Sequence, residues 1–159
     1  MYEVKVKCVL REPLANRYVL ILESLDGSYY IPINIGVFEA EAIYTEISGI
    51  KCPRPLTYDF FSLILENINN VKVDKIVIYD NSDNIFKAKI VINNSGSYKE
   101  IDCRPSDAIA LGLRVKSPIF IEDIVLKNKK CINKDCIKGS DKMILEHIIT
   151  DQATTYWNV

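Results

Sequence analysis

Apolar and polar residues alternate from Tyr2 to Leu10, with Tyr, Val, Val, Cys and Leu set against Glu, Lys and Lys, the period-2 pattern of a half-buried strand. Arg17 to Glu23 and Ser28 to Ile35 read the same way. Asp26-Gly27 lies between these two runs and supplies a hairpin turn, because glycine accepts the positive φ that such turns need. The first third of the chain therefore predicts a three-stranded antiparallel meander. From Val37 to Ser48 the period changes: Val37, Ala40, Ile43, Tyr44 and Ile47 recur at helical spacing, bounded by Gly36 and Gly49.

Lys51 to Leu56 holds two prolines, which force an extended connector, and Thr57 follows as candidate N-cap of a second helix. Its apolar face, Phe60, Phe61, Ile64, Leu65 and Ile68, predicts a core helix. Val71 to Tyr79 and Ile85 to Ile92 read as strands around Asn81-Ser82-Asp83-Asn84, Tyr98 to Cys103 as a short strand, and Arg104-Pro105-Ser106-Asp107 as the entry to a third helix. Pro118 to Ile121 is extended, and Glu122 to Leu126 begins a short helix. Beyond it, residues 128 to 140 read as a lysine-rich loop and 141 to 150 as helical, with the last nine residues a tail. The expected fold is α+β, a single domain in which an antiparallel β meander and hairpins pack with three to four helices. Residues 1–126 form its body, and 127–159 add the loop, a short helix and the tail.

The chain has 159 residues, 48% apolar and 26% charged, which fits a compact folded domain. At that length roughly two-thirds of the unfolded surface is buried on folding, enough for a core without disulfides or structural metals. The five cysteines are an odd number, and no apolar run approaches the ~20 residues of a membrane span. The opening MYEVKVKCVL lacks a signal-peptide plan, so a cytoplasmic location with reduced thiols and no membrane contact is expected. A net charge of −1 excludes a protein that coats nucleic acid with its whole surface. Residues 127 to 142 carry six lysines and two aspartates, +4, leaving −5 on the rest. Lys127, Lys129 and Lys130 are thus a candidate backbone-contacting patch or simply a solvated loop.

Several familiar sites are missing: there is no glycine-rich phosphate loop and no GxSxG elbow. His147 is the only histidine, which excludes a histidine-rich metal centre. Cys131 and Cys136 have a spacing that zinc allows, but no second cysteine pair completes a tetrahedral site. The informative residues stand at two proline-arginine turns. Arg54 precedes Thr57 and Asp59, while Asp102, Arg104, Ser106 and Asp107 surround the start of the third helix. Guanidinium groups and free helix amides favour a phosphate, and clustered aspartates suit a divalent cation beside it. The same residues equally serve structure, with Asp59 and Asp107 capping amides and the arginines pairing with them.

Three ordered blocks carry a more specific likeness: Ile31-Pro32-Ile33-Asn34-Ile35-Gly36-Val37-Phe38-Glu39-Ala40-Glu41-Ala42-Ile43, then Pro53-Arg54-Pro55-Leu56-Thr57-Tyr58-Asp59, then Ile101-Asp102-Cys103-Arg104-Pro105-Ser106-Asp107-Ala108-Ile109-Ala110-Leu111-Gly112-Leu113-Arg114. Across residues 1 to 126 the chain resembles the bifunctional nuclease domain family of bacteria and archaea, with plant relatives. The resemblance implies an α+β domain that assembles as a homodimer, and cleavage of RNA and DNA as described for plant members. It departs at Tyr58, where the family usually has histidine, so no histidine base or ligand acts there.

Two functions follow as expectations. In the first, a nuclease, Asp59, Asp102 and Asp107, with Glu39, hold Mg²⁺ or Mn²⁺ and activate water, while Arg54, Arg104, Ser106 and Thr57 bind the phosphate of RNA or DNA. In the second, a non-catalytic dimeric regulatory or scaffold module binds an anionic ligand or a protein partner, and the arginines and aspartates are structural.

Overall fold

The computed structural model describes residues 1–12, 17–82, 85–127 and 131–136. The expected meander is present as β1 (Tyr2–Glu12), β2 (Arg17–Ser24) and β3 (Tyr29–Ile35), with Gly27 at φ 76° in the β2–β3 turn. A second antiparallel set follows from β4 (Val71–Asp80), β5 (Lys87–Asn94) and β6 (Ser97–Cys103). The Pro118 to Ile121 segment forms β7 (Ile119–Ile121), which runs parallel to β4 and antiparallel to β1. It joins the two sets into one eight-stranded mixed sheet, β6-β5-β4-β7-β1-β2-β3-β8, closed at the far edge by β8 (Ile132–Asn133).

Three helices, α1 (Val37–Ile47), α2 (Thr57–Glu66) and α3 (Pro105–Arg114), are joined by a single turn, α4 (Asp123–Leu126). Strand alternation sends Leu20, Leu22, Ile31, Ile33, Ile76 and Ile78 into the main core with Ala40, Ile43, Ala108 and Ile109 of the helices. Ile21 and Tyr30 join Cys8 in a smaller cluster. A bulge between Val6 and Cys8 shifts the phase of β1, so Val4 and Val9 both reach the main core although they stand an odd number of positions apart. At the β8 edge, buried Lys134 donates to Glu23 Oε1 at 2.6 Å and lies 3.7 Å above the Tyr30 ring.

α3 lies close against β4. A Cβ at Gly112 would stand 2.8 Å from Ile76 Cγ1, so only glycine lets the helix approach this far. α2 corrects the sequence reading in two respects. Its N-cap is Leu56, with Thr57 the first helical residue, because the Asp59 carboxylate accepts the Leu56 N–H at 2.8 Å and fixes the start one residue earlier. Its apolar face is not core: Phe60, Phe61, Leu63, Ile64 and Ile68 are exposed, and Ser62 is the helix's one buried residue. Polar anchors at Tyr58 and Asp59 hold the inner side against α3, which rotates the apolar stripe outward. The predicted helix at 141–150, with His147, lies outside the described residues.

Candidate functional site

Each of the three helices begins at the same place. Arg104 caps α3 in an extended conformation (φ −70°, ψ 144°) imposed by the following Pro105, whose ring presets the first helical φ. That geometry leaves the Arg104 side chain outside the helix mouth. Its Nε donates to Asp107 Oδ2 at 2.7 Å, and its Nη2 donates to Asp107 Oδ1 at 3.0 Å and to Glu39 Oε1 at 2.6 Å. Glu39 comes from the first turn of α1, and Tyr58, in the first turn of α2, donates its phenol proton to Asp107 Oδ1 at 2.5 Å. Three helix starts, two carboxylates, one guanidinium and one phenol thus meet.

The other Glu39 oxygen determines the residue before α1. A Cβ at Gly36 would stand 2.3 Å from Glu39 Oε2, so the carboxylate occupies the space that any other residue would fill. Arg104 is 68% exposed in its side chain while holding both carboxylates. Three of its five N–H groups are engaged, and the two on Nη1 have no partner among the described residues. Nη1 is the open donor of the cluster.

A second network adjoins the first. Arg114, 4% exposed, pairs through Nε with Asp59, donates Nη1 to the Ala110 carbonyl at 2.9 Å and donates Nη2 to the Ala42 carbonyl at 3.2 Å. Its guanidinium lies 5.7 Å from the centre of the Tyr58 ring, so Tyr58 touches both arginine networks. Asp102 stands apart on β6 and accepts the Tyr79 hydroxyl at 2.9 Å.

The charges follow from these contacts. Burial, and then the hydrogen bond to Asp107, push the Tyr58 phenol well above its usual range, so it is a fixed donor. Asp107 and then Glu39 raise Arg104, which remains a cation throughout. At Asp59 burial works against ionisation, but the Arg114 and Leu56 bonds outweigh it and hold the carboxyl below its ordinary value.

The site residues expected from sequence divide accordingly. Glu39, Asp107 and Arg104 come together, and Ser106 is buried beside them at the head of α3. Asp59, Asp102 and Asp107 each hold a separate partner, and no group of three or more His, Cys, Asp or Glu side chains suited to a metal exists among the described residues. Arg54 and Thr57 are exposed at the entry to α2, and Lys127 is exposed after α4; Lys129 and Lys130 lie outside the described residues. All five cysteines are free thiols, including Cys131 and Cys136. Sequence reasoning missed Arg114 as a site member, and it treated Tyr58 as a lost histidine when it is the link between networks. The only available signal for Arg114 was its place at the end of the third sequence block.

Beside the cluster runs a groove of about 690 Å³, lined by Arg104, Ser106, Gly36, Asn34, Phe86 and Arg17 among others. No helix among the described residues is long and apolar enough to cross a membrane. Fold and site together define an α+β domain whose converging helix starts hold an exposed arginine between two carboxylates at the rim of a groove. The chain belongs to the bifunctional nuclease domain family, whose model matches residues 20–134. It is also 35% identical over 126 residues to an uncharacterized protein of Mycobacterium tuberculosis, covering 79% of this chain and 74% of that protein; the match recurs in strains CDC 1551 / Oshkosh and ATCC 25618 / H37Rv.

Proposed function

We propose that the chain is a nuclease that seats a nucleic-acid phosphate against Arg104 and hydrolyses the phosphodiester in the adjoining groove. The observation that carries this reading is the open Nη1 of Arg104, a cation held rigid by Asp107 and Glu39 yet mostly exposed to the groove. Three helix N-termini add favourable potential for an anion at the same place. Phe86 and Asn34 offer a ring face and an amide to a base or sugar.

In this reading Nη1 neutralises a non-bridging phosphate oxygen. Glu39 Oε2 accepts the proton of the attacking water as its oxygen bonds phosphorus, and the sugar oxygen departs with the electron pair of the broken bond. Tyr58 and Asp107 act one step back, keeping Arg104 in place. Mg²⁺ or Mn²⁺ would need several open carboxylates. Asp59, Asp102 and Asp107 do not supply them, and the pair that converges, Glu39 and Asp107, is spanned by Arg104. The described residues do not fit such a metal.

A second reading, an anion-binding module without hydrolysis, is favoured by those same separately paired aspartates. Fluorescent single-stranded RNA and DNA oligonucleotides distinguish the two, with anisotropy reporting binding and gel analysis reporting cleavage. The nuclease reading expects Arg104→Ala to lose both and Glu39→Gln to keep binding but lose cleavage. Binding without cleavage by the unaltered chain supports the second reading, and cleavage unchanged in Glu39→Gln refutes the assigned base.

A further inference from the structure

The groove beside the Arg104 cluster holds a second cation. Its charged lining residues are Arg104 and Arg17, and no Asp or Glu lines it among the described residues. A chain of net charge −1 therefore carries a cleft lined by positive charge alone, which concentrates the field of two guanidinium groups and draws in anions. The strand register fixes where Arg17 stands. Tyr18 faces Ile35 across β2 and β3, and the next residue, Gly36, is still extended (φ −76°, ψ 163°), so exposed Arg17 stands across from Gly36 at the usual strand spacing of ~4.8 Å. Glu39 Oε2 fills the space of the Cβ that Gly36 lacks, and Glu39 Oε1 accepts from Arg104 at 2.6 Å. One glycine and one carboxylate thus lie between the two arginines. The rest of the wall includes Phe86, Val19 and Pro32, and the groove's 690 Å³ falls within the roughly 300–1,000 Å³ of sites for small ligands, enough for a short stretch of one strand.

We propose that Arg17 is a second phosphate seat, so that the groove takes two consecutive phosphates of one nucleic-acid strand, one on Arg104 and the next on Arg17. This rests on the reading of Arg104 as a phosphate seat and adds that the ligand is a chain with at least two phosphates. A guanidinium carries five N–H donors, so Arg17 holds a phosphate alongside its contacts within the protein, as Arg104 does alongside its two carboxylates. A strand held at one phosphate can pivot about it. Held at two, it keeps the phosphate on Arg104 beside Glu39. Two phosphate groups are also the chemistry of a free diphosphate, but Phe86 offers a ring face on which a base of a strand stacks and which a diphosphate leaves unused.

Fluorescein-labelled thymidine strands with one and with two phosphodiesters, titrated by anisotropy over a range of salt concentrations, test it. In the unaltered chain the second phosphate should tighten binding about tenfold and steepen the dependence of log K on log salt by about 0.7. Both gains should vanish in Arg17→Ala, while Arg17→Lys, which keeps the charge without the fork, should retain the steeper slope. A merely structural role for Arg17 would not follow the number of phosphates on the strand. Gains that persist in Arg17→Ala overturn the second seat and leave the reading of Arg104 standing, whereas an unaltered chain that binds neither strand overturns both. Displacement of the two-phosphate strand by an equal concentration of inorganic pyrophosphate would assign the groove to a free diphosphate and overturn the strand.

Discussion

Arg114→Met gives the most discriminating measure of how the site is held. Methionine keeps the apolar stem, so the loss is confined to the guanidinium: its pairing with Asp59, its bonds to the Ala110 and Ala42 carbonyls, and its contact with the Tyr58 ring. The two carbonyls keep their own helical partners, and Asp59 is about a third open to water and rehydrates, so no buried charge is stranded. A bond to a charged group contributes about 1.5–3 kcal/mol at best, and with those discounts the loss should total about 2–3 kcal/mol. For a chain of this length that corresponds to a Tm lower by about 5–10 °C, readable by urea and thermal unfolding followed by circular dichroism.

The pH dependence gives this prediction a second readout. Because the folded-state Asp59 carboxyl lies below its ordinary value, its pairing stabilises the fold fully above about pH 4 and is lost as pH falls through the folded value. The gap between Arg114→Met and the unaltered chain should therefore narrow in acid without vanishing, since the carbonyl bonds are insensitive to pH. A loss below about 0.5 kcal/mol at neutral pH, or a gap that stays constant into acid, would refute the argument that Arg114 clamps α1, α2 and α3 together.

On the proposed nuclease reading, Gly36→Ala should push Glu39 Oε2 from its position and reduce cleavage at least as far as Glu39→Gln does, while circular dichroism is unchanged; full activity would show that this oxygen's position is immaterial. Gly112→Ala should destabilise the chain by about 1–2 kcal/mol in urea melts despite alanine's better helix propensity, because the new methyl meets buried Ile76. Burial pushes the thiols of Cys8, Cys103 and Cys131 up to about 11, leaving about one in a thousand as thiolate at pH 8. Intact mass after brief alkylation should therefore show two adducts, which peptide mapping should place at exposed Cys52 and Cys136, with the other three reacting more slowly.

The meanders were legible in the sequence because alternation and the Asp26-Gly27 turn are local signals, and β1 to β3 fall within two residues of their expected bounds. The partner of Pro118 to Ile121 was not legible, since three extended residues fit any sheet and only the finished core places them between β1 and β4. α2 shows a different limit. Its periodicity reveals an apolar face but not the direction in which that face points, and Tyr58 and Asp59, whose partners lie 49 and 55 residues away, decide the direction. The site was half legible for the same reason. Glu39, Arg104 and Asp107 had the right chemistry at helix starts, but whether each aspartate met a cation, a phenol or another aspartate depended on contacts between elements.

The three residues of β7 also bear on the order of folding. The strand pairings of the β1–β2–β3 set and of the β4–β5–β6 set join neighbours in sequence, so both sets close short loops at small entropic cost. The Tyr2 to Ile121 pairing instead closes nearly the whole described chain. Each half can form as a local hairpin unit, and the chain becomes one cooperative body only when Ile119–Ile121 slots between them. Substitutions in β7 should therefore slow folding more than equally destabilising substitutions in the β2–β3 hairpin. The Arg104 cluster should inherit that order, because Glu39 and Tyr58 follow the first set of strands while Arg104 and Asp107 follow the second, so the four meet only when the two halves come together.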